Sequence, residues 1–102
     1  MEKLVSRSLP NHSVYVIREI GTGTVKIGKT RGNPQGRLRE LQTGCPYQLE
    51  LIAVLSPNEH PGEKVLHARC AQWRIRAGGE WFWGTDGLYE ALAIRRPRTA
   101  AV

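Results

Sequence analysis

The chain reads as an α/β domain, and three observations carry that reading. Two β-branched runs, Val14-Tyr15-Val16-Ile17 and Val25-Lys26-Ile27-Gly28-Lys29-Thr30, are joined through Gly21-Thr22-Gly23, the pattern of a β-hairpin. Next come Asn33 and Pro34, then Leu38 and Leu41, then Gly44 with Pro46 beyond it. These are the N-cap, the N1 proline, the apolar stripe and the stop of a helix. A third alternating run, Gln48 to Leu55, precedes a second helical stretch. The spacing predicts the order ββαβα-α, with a small mixed sheet under helices.

Residues 1–12 form a polar lead-in that Pro10-Asn11 breaks before the first strand. The hairpin covers roughly residues 13–30. In the third run Leu49, Leu51, Ala53 and Leu55 alternate with Glu50, Ile52 and Val54, so one face is wholly apolar and the other nearly so. That suits a central strand covered on both sides. Ser56-Pro57-Asn58 is a turn, and Pro61 falls in the first turn of a second helix running to about Arg76. Ala77-Gly78-Gly79 ends that helix, and Glu80-Trp81-Phe82-Trp83 is a short aromatic segment. Thr85 caps a last helix through Leu92, and Arg95-Arg96-Pro97-Arg98 opens a basic tail with no core to join. The chain is thus one domain over 13–93, with the lead-in before it and the tail at 94–102.

A length of 102 residues allows one small core and not two. The net charge of +6 and a sequence pI near 9.9 favour a polyanionic partner. No stretch has the apolar length of a membrane span, and the N-terminus lacks a signal-peptide apolar region, so a cytoplasmic protein without membrane contact is expected. Cys45 and Cys70 are the only cysteines. Their separation is wrong for a structural zinc site, and both are expected reduced, with Cys70 on a helix's apolar face.

The hairpin carries the first sign of a site. With a loop of two or four residues, odd positions of the first strand face even positions of the second. Tyr15 then shares a face with Lys26 and Gly28, while Val16, Ile20, Val25 and Ile27 fill the other. A phenol, a lysine and a glycine gathered on one side of an otherwise apolar hairpin is a site signature. Lys29 points the other way unless the strand ends there. Gly28 permits close approach of a backbone.

Downstream, Arg37 flanks the Leu38/Leu41 stripe, and Glu63 and His67 lie one turn apart on the second helix, in line with Leu66 and Cys70. Each has an ordinary alternative. Glu63 could be a first-turn glutamate favoured by the helix dipole, with Glu59 its competitor one turn earlier. Arg37 could be a solvated helix arginine like Arg39. Tyr15 could simply pack as a strand aromatic. His67 divides between a structural role and acid/base transfer or phosphate contact. Trp81, Phe82 and Trp83 read mainly as core and lid packing rather than base stacking. Glu80 could pair with Arg37 or Arg39, or cap a helix.

Taken in order, Val14-Tyr15-Val16, Lys26-Ile27-Gly28, Arg37, Glu63 and Gly79-Glu80-Trp81-Phe82 resemble the GIY-YIG endonuclease superfamily. The chain is most similar to its small phage-type branch, which includes the meiotically up-regulated (Mug-type) domains. The resemblance spans roughly residues 13–93. It departs at Lys26, where the superfamily has tyrosine. It implies a three-stranded antiparallel sheet flanked by helices and a metal-dependent DNA endonuclease, with one Mg²⁺ (or Mn²⁺) on Glu63. With the resemblance selecting Arg37 and Glu63, the catalytic candidates are Tyr15, Lys26, Arg37, Glu63 and His67. Gly28, Lys29 and Arg39 are the substrate-binding candidates, and DNA is the partner. The rival readings are a catalytically silent nucleic-acid-binding module on the same fold and a protein-interaction domain. Monomer, dimer and partner-bound states all stay open.

Overall fold

The computed structural model describes residues 12–56 and 61–97. The lead-in before residue 12, the expected turn at Pro57-Asn58, Glu59, and the tail from residue 98 lie outside the described residues. The elements are β1 (Ser13–Glu19), β2 (Val25–Thr30), α1 (Pro34–Thr43), β3 (Leu49–Leu55), α2 (Glu63–Arg69), β4 (Trp81–Phe82) and α3 (Asp86–Leu92), with a 3₁₀ turn at Ala71–Trp73 after α2. The α/β class is as the sequence predicts. The sheet, however, is antiparallel throughout and has four strands in the order β3-β1-β2-β4.

The β1–β2 register pairs Tyr15 with Gly28 and Ile17 with Lys26, the predicted odd-to-even parity. Lys29 pairs with Val14 and so falls on the opposite face, as expected. Gly21 and Gly23 take φ of 109° and 78° in the turn, and Glu19 N–H donates to the Thr24 carbonyl at 2.9 Å to close it.

β3 departs from its expected pattern, and it lies at an edge of the sheet, not at its centre. The β1–β3 register slips between Val16 and Ile17. The extra residue flips the alternation. Leu49 and Leu51 therefore pack with Tyr15 and Ile17 on one face, while Ile52, Ala53 and Leu55 join Val14 and Val16 on the other. The four residues expected on a single face divide between two cores.

Those cores are unequal. The larger gathers Val14, Val16, Val25, Ile27 and Phe82 from the sheet with Leu66 of α2, Cys70 at its C-cap, and Leu88, Tyr89 and Leu92 of α3. The smaller has Tyr15, Ile17 and Leu49 under Leu38 and Leu41 of α1. No residue of α1 is fully buried, so the α1 face can hold polar groups close to water. Cys70 lies fully buried on the apolar face, as the sequence predicts, and burial pushes its thiol up.

Capping follows the sequence at two helices. Asn33 accepts from Gln35 N–H at 2.9 Å, and Thr85 accepts from Leu88 N–H at 3.2 Å; each satisfies an N-terminal donor that the helix itself cannot. The second helix differs. It starts at Glu63, with Gly62 as N-cap and Pro61 outside it, and it ends at Arg69 instead of near Arg76. The backbone beyond it has other partners: Trp83 N–H donates to the Trp73 carbonyl at 2.8 Å, and Ile75 N–H to the Trp81 carbonyl at 3.0 Å. Residues 73–75 thus fold back on 81–83 around Gly78, at φ 77°. The same fold-back sets the aromatic segment against β2 as the fourth strand, with Phe82 opposite Val25 and Trp81 opposite Lys26.

Past α3 the chain still meets the core. Ile94 packs against it, and Arg96 pairs with Asp86 and lies 5.7 Å from the Tyr89 ring centre. Among the described residues, no helix is long and apolar enough to cross a membrane.

Candidate active site

On the α1 face, Tyr15 is 1 % exposed and its ring lies directly over Gly28. A methyl group at Gly28 would overlap the phenol oxygen and its ring carbon. Glycine is required here to make room, not for backbone freedom. The Lys26 ammonium lies 5.8 Å from the centre of the Tyr15 ring, within cation–π range, and forms an ion pair with Glu80. Lys26 is one of the few charged side chains that the fold nearly removes from solvent, at 9 % side-chain exposure. A buried ammonium without an acceptor would be strongly destabilising, so Glu80 is what allows Lys26 to stand beside the phenol.

Arg37 rises from the second turn of α1, half-exposed, and holds Glu40 at 3.0 Å. Its pKa is raised first by hydrogen bonding with the Tyr15 hydroxyl and then by Glu40. The guanidinium therefore lies within electrostatic reach of the phenol. Arg39 is exposed on the same helix, and no described contact draws it toward Tyr15.

Glu63 and His67 approach from the β2 edge. β4 begins at Trp81, and before it only the Glu80 carbonyl continues the ladder by accepting from Ile27 N–H at 3.0 Å. Beyond that point the Ile27 carbonyl is met by His67, whose Nε2 donates to it at 2.8 Å, while the imidazole packs 5.3 Å from the Phe82 ring. His67 pins α2 to the open edge of the sheet. One turn earlier, Glu63 Oε2 lies 3.9 Å from His67 Nε2, and that oxygen is buried with no hydrogen-bond partner.

The two carboxyls diverge. Burial and then the charge of Glu80 raise Glu63 above the ordinary carboxylate range, against a smaller lowering by His67. Burial also acts to raise Glu80, but the hydrogen bond and charge of Lys26 outweigh it and bring Glu80 below the ordinary value. The interaction between the two carboxyls adds to this divergence, raising Glu63 and lowering Glu80. Lys29 is exposed on the opposite strand face, yet its charge lowers Glu63, and both line a cavity of about 300 Å³ with His12, Pro61 and Lys64.

The fold thus links Arg37, Tyr15, Lys26, Glu80, Glu63 and His67, drawn from four elements and one loop, in one polar chain. Arg39 is left outside it. Glu80 is the central member, and it pairs with neither arginine that the sequence offered, nor caps a helix. The only local sign of its role was an acid immediately before an aromatic pair.

The family model of the T5orf172 domain matches the chain over residues 12–96, and the chain belongs to that family, a domain type associated with nuclease and DNA-binding modules. No curated protein and no solved structure matches it.

Proposed function

We propose that this domain is a metal-dependent DNA endonuclease of the GIY-YIG type, which hydrolyses phosphodiester bonds. The observation that carries the reading is that Tyr15, Lys26, Arg37 and Glu63 belong to one chain of interacting groups, with an unpartnered, buried carboxylate oxygen at its Glu63 end.

Glu63 would hold the ion. Its Oε2 lacks a partner, and burial disfavours its ionised form, a deficit that a hard cation reverses. No cluster of three or more His, Cys, Asp or Glu side chains suited to a metal occurs among the described residues, so the remaining ligands would be water and phosphate oxygens, a normal arrangement for magnesium. When bound, one Mg²⁺ or Mn²⁺ supplies charge neutralisation at the scissile phosphate and the departing oxygen.

Arg37 presents a planar fork to the phosphate, where negative charge accumulates as the phosphorus becomes five-coordinate. The Tyr15 oxygen orients the attacking water and receives its proton. Lys26 stands beside the Tyr15 ring and favours the phenolate form that accepts this proton and becomes the neutral phenol, and Glu80 keeps that ammonium in place. His67 holds the α2 segment that carries Glu63 against β2. The net charge of +6 supports DNA as the substrate.

A silent DNA-binding module is the competing reading, favoured by the Lys26–Glu80 pair, which occupies the cation standing where the superfamily has tyrosine. Supercoiled plasmid separates the two. Nicking in Mg²⁺ or Mn²⁺ that stops in EDTA is the expected result. Binding without nicking under every metal condition would leave only the silent module.

The arginine assignment has its own test. Arg37→Lys keeps the charge but loses the bidentate fork. Cleavage should fall by about two orders of magnitude with little change in DNA affinity, since a contact made in the transition state affects rate rather than ground-state binding. Arg39→Lys should have little effect. Equal losses from the two changes would remove the special role of Arg37.

A further inference from the structure

We propose that the cavity lined by Lys26, Ile75, Arg76, Gly79, Glu80 and Trp81 is a subsite for one unpaired nucleotide of the DNA, next to the phosphate that is cut. The inference rests on the endonuclease reading for the identity of its substrate. Its physical basis lies in the cavity itself.

The cavity measures about 410 Å³, within the usual size of small-ligand sites. It is continuous with the proposed active site, because Lys26 and Glu80 belong to both. Trp81 stands opposite Lys26 in the strand ladder, so it shares the sheet face of Tyr15, and it packs on the Tyr15 and Ile17 cluster from beneath. Its half-buried indole is thereby a fixed platform. Trp83 is the more exposed indole, at 54 %, but it does not line this space.

The opposite wall comes from the fold-back. Ile75 is held to Trp81 by its backbone N–H, and the Arg76 carbonyl accepts from Gly79 N–H at 2.9 Å. These bonds place an exposed isoleucine and an exposed arginine beside the indole. Arg18, Arg37 and Arg96 each pair with a carboxylate. Arg76 makes no side-chain hydrogen bond or ion pair with any described residue, so its guanidinium is available to an anion.

An aromatic platform, an apolar residue beside it and a free guanidinium suit a nucleotide whose base stacks on the indole with its edge against the isoleucine and its phosphate on the arginine. A base inside an intact duplex already stacks on both neighbours and cannot enter. A mismatched, bulged or flap nucleotide enters at much lower cost. The domain should therefore prefer DNA carrying an unpaired nucleotide over continuous duplex.

Binding measured in EDTA tests this without cleavage. Two labelled duplexes are compared, one continuous and one with a single bulged 2-aminopurine. The bulged duplex should bind about tenfold more tightly, with its fluorescence quenched by stacking. Arg76→Ala should remove most of that preference and reduce the log–log salt slope by about one. Ile75→Ala should weaken both preference and quench. Trp81→Leu should abolish the quench, and because Trp81 also packs on the core, the two surface variants carry the test if that protein misfolds. Equal affinity for the two duplexes, or a preference and quench untouched by both surface changes, would overturn the subsite. Failure of the wild-type protein to nick DNA would reject the endonuclease reading alone, and nicking with no preference for the bulge would reject the subsite alone.

Discussion

Glu63→Gln should abolish cleavage while leaving the protein folded and able to bind DNA. Glutamine preserves the size of the side chain and its packing at the start of α2, but it removes the charge that a hard divalent cation requires. The stability effect has a definite sign. Burial and Glu80 raise the folded-state pKa of Glu63 above its ordinary value. A carboxyl shifted upward favours the fold below its unfolded pKa, and that contribution is lost as the pH rises through the folded one. At neutral pH the ionised Glu63 is therefore a cost to the free protein. Glu63→Gln should raise the melting temperature by up to a few degrees at pH 7, and the gain should shrink as the pH falls through the raised folded value and vanish below the ordinary carboxylate value. Loss of activity with a higher melting temperature is the pattern of a functional group held at the expense of stability. Nicking by the Glu63→Gln protein at the wild-type rate in Mg²⁺ would overturn the mechanism. A melting temperature that falls at pH 7 and not at low pH would show instead that the carboxylate stabilises the fold.

Gly28→Ala should be the most damaging single methyl group that the site can receive. The new carbon would overlap the phenol of Tyr15, which is 1 % exposed and has β1 and α1 around it. Overpacking of this kind costs about 1–3 kcal/mol, which for a domain of this size lowers the melting temperature by several degrees or more. The phenol would be displaced from Arg37 and Lys26 at the same time, so cleavage should fall by two or more orders of magnitude. A second change separates the two consequences. Tyr15→Leu removes the ring, so the double variant Tyr15→Leu, Gly28→Ala should recover much of the lost stability and none of the activity. An unchanged melting temperature in Gly28→Ala would mean that the ring does not lie where the structure places it. Recovery of activity in the double variant would exclude Tyr15 from the chemistry.

The two substitutions meet in one physical arrangement. Tyr15 and Gly28 are neighbours because β1 and β2 are adjacent in the chain. Glu63 reaches the same network only because α2 crosses to the far edge of β2, where His67 holds the Ile27 carbonyl. Glu80 then joins the halves, with Lys26 on one side and Glu63 on the other. Loss of the Lys26–Glu80 pair would leave a nearly buried ammonium without an acceptor, which explains why an acid stands immediately before β4.

What the sequence determined by itself is local or periodic. Side chains alternate strictly along a strand, so a hairpin closed through Gly21 and Gly23 sets Tyr15, Lys26 and Gly28 on one face whatever surrounds it. Asn33 and Thr85 satisfy the first donors of their own helices, and Cys70 lies on the stripe that its spacing from Leu66 implies; none of these depends on a distant partner. The tertiary structure decided the rest. A one-residue slip against β1 sent Leu49 and Leu51 to one core and Leu55 to the other, and nothing within β3 marks where that slip occurs. The second helix stopped at Arg69 because residues 73–75 gain backbone partners in 81–83 that no helical periodicity reveals. That same pairing made a fourth strand, brought Glu80 to Lys26, and set Arg76 across a cavity from Trp81. Pairings between segments far apart in the chain depend on which strand edge is open, and that edge exists only once the sheet has formed.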